Sequence, residues 1–170
     1  MKLKLVKLDK SYRGHLEDMM DEWITSDDMH HPSVIFRNDY HDFEHYMDSL
    51  EVKEATDKLV PDSVFFCLDE ERDLFVGAIN IRHRLNDFLL LGGGHIGDGI
   101  RPSERRKGFA TEMIRLALIE CKELGIDRVL MTCRKDNIAS SRTIEKNGGV
   151  LENEIEIDGV PFQRYWIELR

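Results

Sequence analysis

From Lys2 to Val6 polar and apolar residues alternate, which predicts an opening strand. Between Tyr12 and Ile24 the period lengthens. Leu16, Met19, Met20 and Trp23 recur at helical spacing until the polar break Thr25-Ser26-Asp27-Asp28. Met29 to Asn38 holds Pro32 and mixed residues, and reads as a loop or irregular turn. A second helix is predicted with Phe43, Tyr46, Met47 and Leu50 on one face and Asp39 or Asp42 as its cap. Past Pro61 the pattern turns to strands. Ser63 to Leu68 and Leu74 to Ile81 flank a charged turn and predict a hairpin. A third strand segment leads into Gly92-Gly93-Gly94-His95-Ile96-Gly97-Asp98-Gly99-Ile100. Gly108 to Leu124 then carries a continuous apolar stripe, from Ala110 through Met113, Ile114 and Ala117 to Cys121, stopped by Gly125. A strand over Arg128 to Cys133, a short helix from Ile138 to Lys146 and a hairpin turning at Asp158-Gly159 complete the chain.

This order of elements predicts one mixed α/β domain over residues 1–170, its sheet mostly antiparallel with helices on both faces. Composition agrees with a soluble globular class: 41% hydrophobic and 34% charged residues. The longest apolar run, Val64 to Leu68, is far short of the ~20 residues that span a bilayer, so no membrane partner is expected. Three cysteines lack metal-ligand spacing and point to buried thiols in the cytoplasm. His41 and His45 lie four apart with His30 and His31 nearby, but no third ligand set is defined, so no metal is expected. The net charge of −9 is concentrated. Ser11 to Asp57 contains 13 acidic residues against Arg13, Arg37 and Lys53, and the rest is close to neutral. That balance argues against nucleic acid. It leaves room for a cationic partner, or for solvated helix faces.

The segment richest in chemistry is Ile100-Arg101-Pro102-Ser103-Glu104-Arg105-Arg106-Lys107-Gly108-Phe109-Ala110-Thr111. A strand ends, a basic turn follows, and a helix opens on glycine and alanine. Free N–H groups at such a helix start suit a pyrophosphate, and Arg105, Arg106 and Lys107 add positive charge.

Arg105-Arg106-Lys107-Gly108-Phe109-Ala110 resembles the acetyl-CoA signature Arg/Gln-x-x-Gly-x-Gly/Ala of the GNAT acetyltransferases. Downstream, Asn137-Ile138-Ala139-Ser140 and Glu145-Lys146-Asn147-Gly148 resemble the family's Asn-x-x-(Ala/Ser) helix start and Glu-Lys-x-Gly ending. The stretch His95-Ile96-Gly97, taken with Gly108 to Glu112, is similar to the branch of ribosomal-protein N-terminal acetyltransferases. The resemblance implies a sheet splayed at Ile100 and Arg101 to admit the pantetheine arm as an added strand. It also implies acetyl-CoA as co-substrate, held by the backbone from Arg106 to Thr111 with Asn137 and Ser140 on the pantetheine side. The implied acceptor is a primary amine of a small molecule or peptide N-terminus, and a homodimer is a further expectation.

An amine must lose a proton before it attacks a thioester. By position in the strand the resemblance offers His95 as the base, with Asp98 as rival. Many family members place a tyrosine acid where this chain has Ile144, so Ser140, Ser141, a water or, more remotely, Tyr165 would have to serve. Loss of that acid leaves a second reading, a non-catalytic acyl-CoA sensor or assembly module.

Overall fold

The computed structural model describes all 170 residues, Met1–Arg170. Seven strands form two antiparallel sheets. The first runs β1 (Leu3–Val6), β2 (Asp62–Asp69), β3 (Leu74–Arg82) and β4 (Ile96–Ile100) in that spatial order. In the second, β7 (Val160–Glu168) lies between β5 (Arg128–Arg134) and β6 (Val150–Ile157). The helices are α1 (Arg13–Thr25), α2 (Phe43–Ser49), α3 (Phe109–Glu123) and α4 (Ile138–Lys146).

Strand β3 is buried along nearly its whole length because both faces of the first sheet are covered. Period-two alternation sends Phe65, Cys67, Ile79, Ile81, Ile96 and Ile100 into one core with α3 and the second sheet. It sends Val64, Phe66, Leu68 and Ala78 into another with α1 and α2. The expected helices on both faces are present. Five fully or nearly buried residues of α3, Phe109, Met113, Ile114, Ala117 and Cys121, bridge the two sheets. At about 1.5–3 kcal/mol for each large side chain, this helix is a principal tie between the two sheets.

Three local readings change. Ser33–Phe36 forms a 3₁₀ turn within the expected loop. Helix α2 starts only at Phe43, so His41 precedes it and does not share its face with His45. The His41 Nδ1 meets Asp39 at 2.7 Å instead. No group of three His, Cys, Asp or Glu side chains converges.

The third correction concerns Leu89–Gly93, which the sequence reads as strand and which forms a π-helical turn. Its wide turn closes with Gly94 N–H donating to Leu89 O, and Asn86 Oδ1 accepts the N–H of Leu89 at the start. Side chains from neighbouring strands satisfy its carbonyls: Thr132 on Gly92, Arg82 on Gly93 and Gly94, Arg164 on Leu90. These long-range partners override the β-propensity of the leucine run.

Candidate active site

Strands β4 and β5 follow one another through α3, yet they do not pair as a ladder. They meet at one point. His95 N–H donates to Leu130 O at 2.8 Å, and Leu130 N–H donates to the His95 ring Nδ1 at 2.9 Å. The imidazole thus takes the place of a backbone carbonyl, and beyond it the strands separate. The resulting gap carries Asp98 from β4 and Cys133 from β5, with Ser140 of α4 beside the Cys133 thiol.

His95 is buried, and burial followed by the charge of Arg82 lowers its pKa to about 4. With Nδ1 accepting from Leu130, the neutral ring carries its proton on Nε2 and keeps no free lone pair. The base role expected of His95 therefore loses its chemical footing. Its place is the apex of the gap.

Asp98 differs. It falls on the face of Ile96 and Ile100, pairs by register with Ile79, and is partly accessible while crowded by protein. Burial pushes its carboxyl up to about 6. It is a carboxylate poised near neutrality, with no side-chain partner to quench it.

At the far end of the gap the chain turns through Pro102–Glu104 into α3. Arg106 at φ 63° and Gly108 at φ 82° both adopt left-handed backbone, and Gly108 caps the helix with no side-chain bond. No N–H from Arg106 through Thr111 finds a backbone acceptor. A Cβ on Gly108 would meet only the Met1 Cε, at 3.7 Å, so the approach to those donors is open. This is the donor set that a pyrophosphate needs, and the residues present fit it.

The basic side chains behave otherwise than the sequence implied. Arg101 is buried. It bonds Glu22, Asp18 and the Phe75 carbonyl at 2.8, 3.0 and 3.1 Å. Arg105 grips Asp28 at 2.5 and 2.9 Å and the Ile100 carbonyl at 2.9 Å, and this pairing holds Asp28 well below the usual carboxylate range. Lys107 reaches Glu104, itself paired with Arg72. Arg106 alone remains exposed and unpaired. Phe109 faces the core, so only its backbone is available.

These bonds also account for five of the 13 acids of the N-terminal third. Asp18, Glu22 and Asp28 are counterions of the loop, while Glu17 pairs with Arg13 and Glu51 with Lys7. Sequence reasoning had no signal for this, since Arg101 and Glu22 are 79 positions apart.

Of the remaining expected residues, Asn137 Oδ1 accepts the N–H of Ser140 at 3.2 Å and caps α4. Ile144 is fully buried in the core. Tyr165 is buried too, its hydroxyl within 3.0 Å of Gln163 and 3.3 Å of Glu145. Ser141 donates to the Ile138 carbonyl. At Gly99 a Cβ would collide with His31 Cα and Pro32 Cδ, both at 2.9 Å, so the segment after α1 crosses the strand there. Glycine at position 99 thus permits that close approach.

A split mixed α/β fold with a helix-start phosphate cradle at the gap's mouth defines a class of acyl-transfer domains. The family model described as "Acetyltransferase (GNAT) domain" matches residues 3–150, and the chain belongs to that family. Solved structures share the fold over its whole length. The microcin C7 self-immunity acetyltransferase, solved with acetyl-CoA and AMP, has a TM-score of 0.68 at 18% identity, covering 98% of this chain and 92% of its own. A chimera built on the Vibrio cholerae spermidine N-acetyltransferase has a TM-score of 0.66 at 20% identity, with 99% and 96% covered. An acetyltransferase from Salmonella typhimurium, solved with its cofactor acetyl-CoA, has a TM-score of 0.62 at 14% identity, with 99% and 94% covered. No curated protein matches the chain by sequence.

Proposed function

We propose that this protein transfers the acetyl group of acetyl-CoA to a primary amine by direct attack, without a covalent enzyme intermediate. The observation that carries this reading is the run of unsatisfied N–H groups from Arg106 to Thr111 opening onto the Asp98 gap. Those donors and Arg106 would hold the pyrophosphate, and the open edges of β4 and β5 beyond the His95–Leu130 contact would hold the pantetheine arm. Acetyl-CoA supplies an activated thioester carbonyl.

Asp98 takes the proton of the attacking amine, and its raised pKa fits that work near neutral pH. His95 acts as a positioning residue that fixes where the strands part. Ser140, part-buried beside Cys133, is the available donor to the departing sulfur. A thiolate of pKa around 8.5 leaves tolerably well, so the role is modest. None of the three buried, unpaired cysteines has a required part, and they support a reducing compartment, the cytosol. The tie to the ribosomal-protein N-terminal acetyltransferase branch rests on His95-Ile96-Gly97 taken with Gly108 to Glu112.

The acceptor is a small amine or a peptide terminus. A cationic acceptor loses part of its support, because five of the 13 acids expected to attract it, Glu17, Asp18, Glu22, Asp28 and Glu51, are paired with Arg13, Arg101, Arg105 and Lys7. Acetyl-CoA turnover over a panel of amines, read as released thiol, tests the proposal. Tight CoA binding without turnover on any amine would favour the acyl-CoA sensor instead.

A further inference from the structure

Nine of the chain's arginines have a carboxylate within ion-pair distance; Arg37, Arg82, Arg84, Arg106 and Arg142 have none. Four of these five are exposed, where water solvates the charge. Arg82, at the end of β3, is the exception. Burial depresses its pKa; the negative charge of Asp62 offsets part of this, and the positive charge of Arg37 adds to it. Two cations thus share the field of one carboxylate, Asp62, which forms no ion pair with either, an arrangement that leaves net positive charge at that place with no paired counterion.

Asp62, the cross-strand neighbour of Arg82, does not fill that role at short range. Its oxygens accept from Val52 N–H at 2.7 Å and from the Asn80 amide at 3.0 Å. The guanidinium itself uses only Nη1, which donates to the Gly93 and Gly94 carbonyls at 3.0 and 3.2 Å. Nε and Nη2 meet no acceptor. Neither is sealed from solvent, for Trp23 Nε1 is the one sealed side-chain polar atom without a partner. The free Nη2 lies 3.4 Å from where a Cβ of Gly97 would stand, over the face of β4 opposite Asp98. The segment that carries Arg37 crosses the same strand at Gly99.

We infer that Arg82 and Arg37 form an anion-recognition subsite beside the reaction gap, so that the acceptor is an amine bearing a carboxylate or phosphate group. This rests on the acetyltransferase reading and refines its substrate class. A planar guanidinium with a free Nε–Nη2 edge matches two oxygens of such a group, and the missing side chain at Gly97 leaves room for it. Because Gly97 and Asp98 face opposite sides of β4, an amine on the same short molecule would reach the gap past the open edge of the strand near His95.

The test uses amine pairs that differ in the anionic group: O-phosphoethanolamine against ethanolamine, and 4-aminobutyrate against butylamine. For each pair kcat/KM is read from released thiol. Calorimetry measures binding of the two anionic members to protein saturated with CoA. The anionic member of at least one pair should be preferred about tenfold or more, and which pair responds separates phosphate from carboxylate. Arg37→Gln touches an exposed side chain with no structural bonds and should reduce that preference several-fold. Arg82→Met should abolish it while leaving the KM for acetyl-CoA unchanged. Because Arg82 also holds the Gly93 and Gly94 carbonyls, a thermal melt checks that this variant folds, and Arg37→Gln decides if it does not. Equal or reversed preference in the wild type, or a preference untouched by Arg37→Gln, overturns the inference. If no amine is acetylated, the transfer reading fails by itself. Calorimetric binding weakened by Arg37→Gln would still uphold the subsite, and absent binding would end it.

Discussion

Replacing Gly108 by alanine separates the cost of the fold from the cost of the site, because the same helix offers its own control. Gly108 at φ 82° opens α3 and Gly125 at φ 80° follows its end. An alanine at either position must hold a left-handed backbone, a penalty of roughly 1–2 kcal/mol. Neither new methyl is crowded: the nearest atom to the one is Met1 Cε at 3.7 Å, and the other has nothing within 4 Å. Both variants should therefore lose a similar amount of stability, about 1 kcal/mol in a denaturant titration. Their ligand binding should diverge. At Gly108 the methyl stands at the mouth where the free N–H groups converge, and relaxation of φ turns those donors aside. CoA affinity of Gly108→Ala should fall at least tenfold, on the order of 1.4 kcal/mol, while Gly125→Ala binds as wild type. Isothermal titration of the two folded variants is the assay. Equal CoA affinity in both would refute the cradle.

Three further outcomes follow from the gap and the loop. Asp98→Asn should cut kcat/KM about 10²-fold near pH 8. Because the folded carboxyl titrates near 6, the native state holds more protons than the unfolded chain from about pH 4 to 6 and loses stability as pH rises through that window; the amide variant should lack this loss and melt higher above pH 6. His95 has the opposite sign: its folded pKa near 4 lies below the ordinary value, so its contribution is complete above about 6.5 and is lost as pH falls toward 4. His95→Leu strands the Leu130 N–H and should cost about 1–3 kcal/mol at pH 7, whereas His95→Asn, which offers an oxygen near the place of Nδ1, should recover part of it; equal melts for the two would remove the apex role. Asp28→Asn weakens the Arg105 clamp and should lower CoA affinity several-fold with little change in global stability, and an unchanged affinity would mean that the loop holds its shape without it.

The parts of the molecule that sequence made legible are those governed by local rules. The α3 stripe, the Asn137 cap and the left-handed Asp158-Gly159 turn are each decided within a few residues, and each lies where the pattern put it. The free N–H groups at the start of α3 were legible for the same reason, since a helix start needs only its own backbone. What escaped was set by distant partners. The leucines of the Leu89–Gly93 turn look like strand, and only Thr132, Arg82 and Arg164 make the wide turn viable. His95 occupies the strand position that resemblance linked to a base, but the Leu130 amide claims its lone pair from 35 residues away. The loop arginines looked like ligand contacts because their carboxylates sit on another helix far upstream.

That last arrangement bears on how the co-substrate arrives. With Arg101, Arg105 and Lys107 already matched to carboxylates, Arg106 is the one bare side-chain charge at the mouth of the gap, and the rest of its field comes from backbone dipoles, which fade with distance faster than a bare charge. The whole chain carries −9, so a polyanionic nucleotide approaching from solution meets mild repulsion until it is almost in contact. Association should therefore run in the unsteered range, about 10⁵–10⁷ M⁻¹s⁻¹, and should quicken as added salt screens the repulsion. Affinity in such a site comes from slow release, and the mouth is built to retain its guest more than to summon it.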